Sequence, residues 1–277
     1  MNPVFQGLIT EQATRIMGIV NVTDDSFAGS QPRLTDAIDL GLEMVDQGAD
    51  IIDVGGESTR PGARRICDEE QMDRVIPVVE ALAGTGATVS IDTVSSRVAQ
   101  AGIDAGACVI NDVSGGLADP EILGVAARTK VGYVLQHWRT PFDHQSTHVD
   151  VVNEVCEELA QRAQAAIAAG LDSSQIIVDP GIGFGKTHAQ NWELLANAGV
   201  IMELGYPTLW GVSRKRFLAD TYSHPTQPYQ RDEATLALTT VLAGLGVWAV
   251  RTHTVGDQRT AIAVAQHIRT ASRGVEQ

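Results

Sequence analysis

Ile176–Lys186 reads IIVDPGIGFGK. Three branched apolar residues run into a lone acid, Asp179, and Pro180 with the following glycines ends the run abruptly. A short apolar run without alternation predicts a strand buried on both faces, as in a parallel sheet. Asp179 then sits at the C-terminal lip of that strand, where α/β proteins place their chemistry. Asp-Pro-Gly is also a good turn sequence, so the same acid reads equally well as a turn cap. Recurrence of the pattern along the chain decides between the two.

The pattern recurs. Apolar runs at 15–20, 50–54, 87–91, 107–110, 131–136, 176–178, 207–212 and 247–250 predict strands. Between and after them, amphipathic or Ala-rich stretches at 35–47, 69–83, 95–105, 120–128, 149–169, 191–204, 232–244 and 257–270 predict helices. Strand-then-helix units in this number fit a (β/α)8 TIM barrel, and 277 residues suit one such domain spanning 1–277. A doubly wound open sheet is the alternative; no GxGxxG follows the first strand, which weakens it. No linker or composition shift marks a second domain.

Composition narrows the function. Hydrophobic residues make up 44% of the chain, enough for a large core. A formal net charge of −14 with no basic stretch argues against nucleic acid as a partner, though not against a small anion held by local Arg and Lys. The three cysteines, Cys67, Cys108 and Cys156, are scattered, with no metal or disulfide spacing, which fits a reducing cytosol. MNPVFQGLIT does not read as a signal peptide, and no apolar run is long enough to span a membrane. A cytoplasmic location is the resulting expectation.

In a (β/α)8 barrel the C-terminal ends of all strands face one mouth. The residues there are Asn21, Asp53, Asp92, Asn111, His137, Asp179, Ser213 with Arg214 and Lys215, and Arg251 with His253. Nearly every end carries a strong donor or acceptor. Asp92, Asn111 and Asp179 suit a flat, donor-rich, uncharged ring. Arg251 and His253, with Asn21 on the neighbouring first strand, suit an anion. Taken singly, several of these residues read more simply as structural. Asp53 is expected to bond backbone in its loop, Asp112 to cap the turn before SGG, and His137 to be a hydrogen-bonded barrel residue. His144, His148 and His188 fall in expected loops, and HQSTH lacks the carboxylate or Cys frame of a zinc site. GIGFGK is too short for a Walker loop, so Lys186 is not read as a nucleotide-phosphate lysine.

MGIVNVTDDSF (17–27), GADIIDVGGESTRPGA (48–63), SIDT (90–93), VINDVSGG (109–116), IIVDPGIGFGKT (176–187), SRKRFL (213–218) and RTH (251–253) together resemble the dihydropteroate synthases, nearly end to end and in order. HWR (137–139) is similar to the actinobacterial branch. The family joins 6-hydroxymethyl-7,8-dihydropterin pyrophosphate to p-aminobenzoate in folate biosynthesis, releasing pyrophosphate, and is a sulfonamide target. The resemblance implies that Asp179 takes two adjacent pterin N–H groups, that Asp92 and Asn111 bond other ring edges, and that Lys215 and Phe184 line the ring. It implies Mg²⁺ on Asn21, pyrophosphate on Asn21, Arg60, Arg251 and His253, and p-aminobenzoate near Thr59, Arg60, Pro61 and Ser213. Arg251, His253 and Lys215 would then serve the chemistry, an SN1-like departure of pyrophosphate. A homodimer through the last two helices is implied too, with Leu236, Leu238, Val241, Leu242 and Trp248 available to it or to the barrel.

The sequence departs from the family pattern at DSFAGSQ after the first strand, at Gln136 where an apolar residue faces the ring, and at Thr254 in RTHTV where an acid is usual. Two other readings remain. A pterin-dependent methyltransferase shares the barrel but lacks the SRK, RxH and STRPGA elements. A non-catalytic pterin-binding paralogue would not need Asn21, Arg60, Lys215, Arg251 and His253 together.

Overall fold

The computed structural model describes residues 2–10, 13–23, 32–57, 66–139 and 149–273. Eight parallel strands form one sheet: β1 (Arg15–Asn21), β2 (Ile51–Gly55), β3 (Val89–Asp92), β4 (Val109–Asp112), β5 (Gly132–Gln136), β6 (Ile176–Asp179), β7 (Leu209–Trp210) and β8 (Ala249–Thr252). The hydrogen-bonded order runs β6-β5-β4-β3-β2-β1-β8-β7, and a parallel bridge between Val178 and Thr208 closes the ring. A single-domain (β/α)8 barrel results. Helices α2 (Pro32–Asp46), α3 (Asp68–Gly84), α4 (Ser96–Asp104), α5 (Glu121–Thr129), α6 (Val151–Ala168), α7 (His188–Ala196), α8 (Ala198–Met202), α9 (Asp232–Leu245) and α10 (Gly256–Arg273) form the outer layer.

The helix expected over 191–204 is two helices, meeting at Asn197. It also starts earlier, because Thr187 and Gln190 form a capping box at its N-terminus. His188 therefore opens α7 rather than sitting in a loop, and it pairs with Asp220 at 2.8 Å.

The strands are buried on both faces, and their two faces belong to different cores. One large core packs the strands against the helices. The other fills the barrel with Met17, Ile51, Val109, Val134, Ile177, Leu209 and Ala249. Side chains alternate along a strand, so positions two residues further on point into the same interior. Those positions are Ile19, Asp53, Asn111, Gln136, Asp179, Gly211 and Arg251. Five of these seven are polar or charged, so the interior turns largely polar within one side-chain layer.

A helix that the strand-and-helix periodicity does not predict, α1 (Pro3–Thr10), plugs the far end of the barrel. Phe5 is fully buried there, and a Cβ on Gly132 would lie 2.4 Å from its ring. The Leu8 carbonyl accepts from Trp248 Nε1 at 3.0 Å and from Arg15 Nε at 3.3 Å. Phe5→Ala is expected to cost about 3–5 kcal/mol through the cavity it leaves. Urea unfolding should show that loss, while turnover per folded molecule stays unchanged because the mouth lies at the other end. Among the described residues no helix is long and apolar enough to cross a membrane.

Candidate active site

The polar layer opens on a pocket lined by Asp92, Asn111, Val113, Gln136, Asp179, Ile182, Phe184, Gly211, Lys215 and Arg251. Strand register explains much of the convergence. Asp92 pairs with Asn111, and Gln136 pairs with Asp179. In-register residues on parallel neighbours share a face, so each pair points into the barrel together. Asn21 pairs with Gly55, which pairs with Asp92, placing Asn21 on the same rim. A second cleft, at the opposite end near Met202, Tyr206 and Trp248, has no charged residue in its described lining.

Asp179 sits at the end of β6 and is 4% exposed. Its Oδ1 accepts from the Gly181 N–H at 2.7 Å, so the acid also closes its own turn. Gly181 adopts φ +69°, and a Cβ there would fall 2.1 Å from the His137 carbonyl oxygen. Only glycine fits, so the lip and the turn are one device. Burial pushes the Asp179 carboxyl up to about 6, against the pull of the Gly181 N–H, Lys215 and Arg251. Burial, aided by Arg251, pulls Lys215 down to about 8. The Lys215 ammonium stands 4.2 Å from the centre of the Phe184 ring, a cation–π contact at the pocket wall.

Arg251 corrects the expected separation into a ring-binding group and an anion-binding corner. Its Nε donates to Asp53 Oδ2 at 2.6 Å and its Nη2 to Asp92 Oδ2 at 2.7 Å. The guanidinium lies among the acids, and burial raises the Asp92 carboxyl while Arg251 holds it down. Asp53 is likewise not a loop residue bonding backbone. It is fully buried within β2, and its Oδ2 also accepts from Asn111 Nδ2 at 2.9 Å. Its Oδ1 has no hydrogen-bond partner among the described residues. Strand-end inspection placed Asp53 at the mouth but not its inward face; its position two places after interior Ile51 is the signal for that.

Ser213 and His253 meet at 2.9 Å between Oγ and Nδ1, and the His253 N–H donates to the same Oγ at 3.2 Å. Ser213 therefore holds the imidazole through its Nδ1 edge, with the donor set by the ring's tautomer.

Asp112, His137 and Lys186 are structural. Asp112 accepts from Ser114 N, Ser114 Oγ, Gly116 N and Tyr133 Oη, capping the turn as expected. His137 is buried between Lys186 Nζ at 2.9 Å and Glu158 at 3.1 Å, and burial lowers its pKa to about 3. Lys186 also donates to the Gly181 and Phe184 carbonyls, so its ammonium protons serve the β6 turn rather than a phosphate. Thr59, Arg60 and Pro61, with the DSFAGSQ segment, His144 and His148, lie outside the described residues.

Among the described residues no group of three His, Cys, Asp or Glu side chains could cage a metal ion. Asn21 offers one amide oxygen on the rim. That donor set fits a hard cation that arrives on a phosphate ligand and keeps most of its waters, as Mg²⁺ does, and does not fit a resident ion.

Comparison with known proteins places this geometry. Residues 17–253 match the family described as "Pterin binding enzyme". The chain is 43% identical to the dihydropteroate synthase of Mycobacterium leprae over 254 residues, covering 87% of this chain and 88% of that one. Among solved structures, dihydropteroate synthase from Xanthomonas albilineans with 4-aminobenzoic acid superposes with a TM-score of 0.87 at 40% identity, covering 93% of both chains. The same enzyme in complex with 7,8-dihydropteroate gives 0.85 at 38% identity, covering 96% of this chain and 97% of that one.

Proposed function

The chain belongs to the dihydropteroate synthase family of pterin binding enzymes, and on that premise we infer how its own residues join a dihydropterin to p-aminobenzoate. The observation that carries the reading is the acid–amide–cation layer at the barrel mouth, made by buried Asp53, Asn111 and Asp179 with part-buried Asp92, Lys215 and Arg251. A 2-amino-4-oxo pterin edge presents adjacent N–H donors. Asp179 is the group to accept them, since Gly181 occupies only its Oδ1. Asn111 and Asp92 take the other ring edges, and Lys215 with Phe184 closes one side of the ring slot.

The 6-methylene then lies toward the rim, where its pyrophosphate meets Arg251, His253 and Asn21. Arg251 spends Nε and Nη2 on Asp53 and Asp92, leaving Nη1 for a pyrophosphate oxygen. His253 donates to another through Nε2 when that nitrogen is protonated, its Nδ1 being engaged with Ser213. Mg²⁺, when bound, neutralises part of the leaving group's charge. Departure of pyrophosphate leaves a cation that the electron-rich pterin delocalises. The p-aminobenzoate amine attacks that carbon, so no side chain need act as a covalent nucleophile. Ser213, between β7 and the turn after it, is placed to meet the p-aminobenzoate carboxylate.

Val241 and Leu245 on α9 and Val264 and Ile268 on α10 are exposed, and α9 packs on α10. We assign a homodimer contact to this face. Leu242 and Trp248 belong to the core instead and Leu238 packs against it, which narrows the expected set to Leu236 and Val241. A cytoplasmic location fits a pathway that uses soluble precursors.

Pyrophosphate release from 6-hydroxymethyl-7,8-dihydropterin pyrophosphate, with p-aminobenzoate and without it, tests the reading. Release that requires p-aminobenzoate and yields 7,8-dihydropteroate supports it. Pterin binding without release would indicate a binding paralogue, and methyl transfer without release would indicate the methyltransferase branch.

A further inference from the structure

Arg214 is one of two non-glycine residues with positive φ among the described residues, at +59°. It stands between Ser213 and Lys215, which the proposed function places against both substrates. The Lys215 N–H bonds the Val212 carbonyl at 3.3 Å, closing a turn with Arg214 at its third position. Glycine or asparagine normally takes that place, because a side chain there crowds the backbone.

The Arg214 N–H, carbonyl, Nε and Nη2 are all gripped by α9 or the turn before it. Its guanidinium forks onto Asp232, Nε to Oδ1 and Nη2 to Oδ2, both at 2.8 Å. Its N–H donates to Thr235 Oγ1 at 3.2 Å, and its carbonyl accepts from Arg231 Nη1 at 3.1 Å. Strained backbone persists only where the surroundings over-determine it.

We propose that the Arg214–Asp232 fork is a positioning clasp. It holds residue 214 left-handed, and so aims Ser213 toward His253 and Lys215 over Phe184. The inference rests on Ser213 and Lys215 serving dihydropteroate synthesis. Arg214 itself touches no substrate and acts through its two neighbours.

Glycine adopts the left-handed conformation freely, so the fork is needed only while residue 214 carries a Cβ. Arg214→Ala, which keeps the strain and removes the clasp, is expected to lower kcat/KM about 30-fold, with the KM values for both substrates rising together. Arg214→Gly is expected to lose only about threefold. Asp232→Ala should cost about tenfold in the native background and nothing further on Arg214→Gly, a non-additive cycle.

Hydrogen exchange of the 213–218 segment, read by mass spectrometry, should accelerate in Arg214→Ala and Asp232→Ala but not in Arg214→Gly. That readout does not require turnover, so it tests the clasp even if the wild-type protein makes no dihydropteroate, which would instead sink the proposed function. The clasp is overturned if Arg214→Gly is as impaired and as fast to exchange as Arg214→Ala. It is equally overturned if Asp232→Ala costs the same in both backgrounds, as a role of Asp232 independent of Arg214 would.

Discussion

Asp179→Asn is expected to weaken pterin binding about 10²–10³-fold while leaving the barrel folded. The amide keeps the shape and can still accept the Gly181 N–H through Oδ1. Its other end, however, presents an N–H₂ to the pterin's own N–H donors, so two attractive contacts become a repulsive one. Removing one partner from a buried, charge-assisted pair costs about 2–5 kcal/mol, which sets the range. Calorimetry with a pterin that carries no pyrophosphate reads the effect directly; a loss under tenfold would remove Asp179 from the ring edge.

The same variant gives a pH signature of definite sign. Burial lifts the Asp179 pKa from 3.8 to about 6, so the folded state holds this proton more tightly than the unfolded chain does. Its contribution to stability is therefore present below the unfolded value and is lost as pH rises through about 6. Asparagine carries no such charge. The ligand-free variant should melt higher than wild type at pH 8, and the gap should close toward pH 4. Pterin affinity runs the other way in the wild type, falling as pH drops through about 6, because the ionised carboxylate is the acceptor. Melts that track each other at every pH would refute the buried-charge account.

Much of this site was legible as a strand-end pattern. Apolar runs ending in Asp92, Asn111, Asp179 and Arg251 located the mouth, because strand length and burial are local properties written into consecutive residues. What the pattern hid is what depends on distance. Asp53 lies inside β2 rather than at its end, and its partner Arg251 is 198 residues away. That pairing follows from how far one strand slides past the next as the barrel closes, which no single stretch encodes. Helix α1 escaped for a different reason. PVFQGLIT has no polar face to set against its apolar residues over a full run of turns, and it is held by what Phe5 and Leu8 find at the barrel's closed end. The left-handed Arg214 was hidden because arginine is not a turn residue; its conformation is imposed by Asp232 and Thr235 on α9.

Arg251→Met is expected to do more than weaken pyrophosphate binding, and it separates the resemblance-based role from the geometric one. If Arg251 only held pyrophosphate, the ligand-free protein and its affinity for free pterin would be unchanged. Here the guanidinium lies between Asp53 and Asp92, whose side chains are almost wholly buried. Methionine leaves those two acids facing each other, with Asn111 the only remaining hydrogen-bond donor to the Asp53 carboxylate among the described residues. Breaking a buried ion pair from one side costs about 3–5 kcal/mol, because the desolvated charge stays behind. The variant should therefore lose stability on that scale, and lose free-pterin affinity as Asp92 takes up a proton or turns away. Adding Asp53→Asn should recover a large share of the stability, since one of the two acids is gone, yet recover no turnover, since the guanidinium that holds pyrophosphate is still missing. A thermal-melt series on the two single variants and the double, alongside calorimetry with pterin and with pyrophosphate, separates these terms. A native-like melt and intact pterin affinity in Arg251→Met alone would put Arg251 back in a separate anion corner and leave the acids to hold the ring unaided.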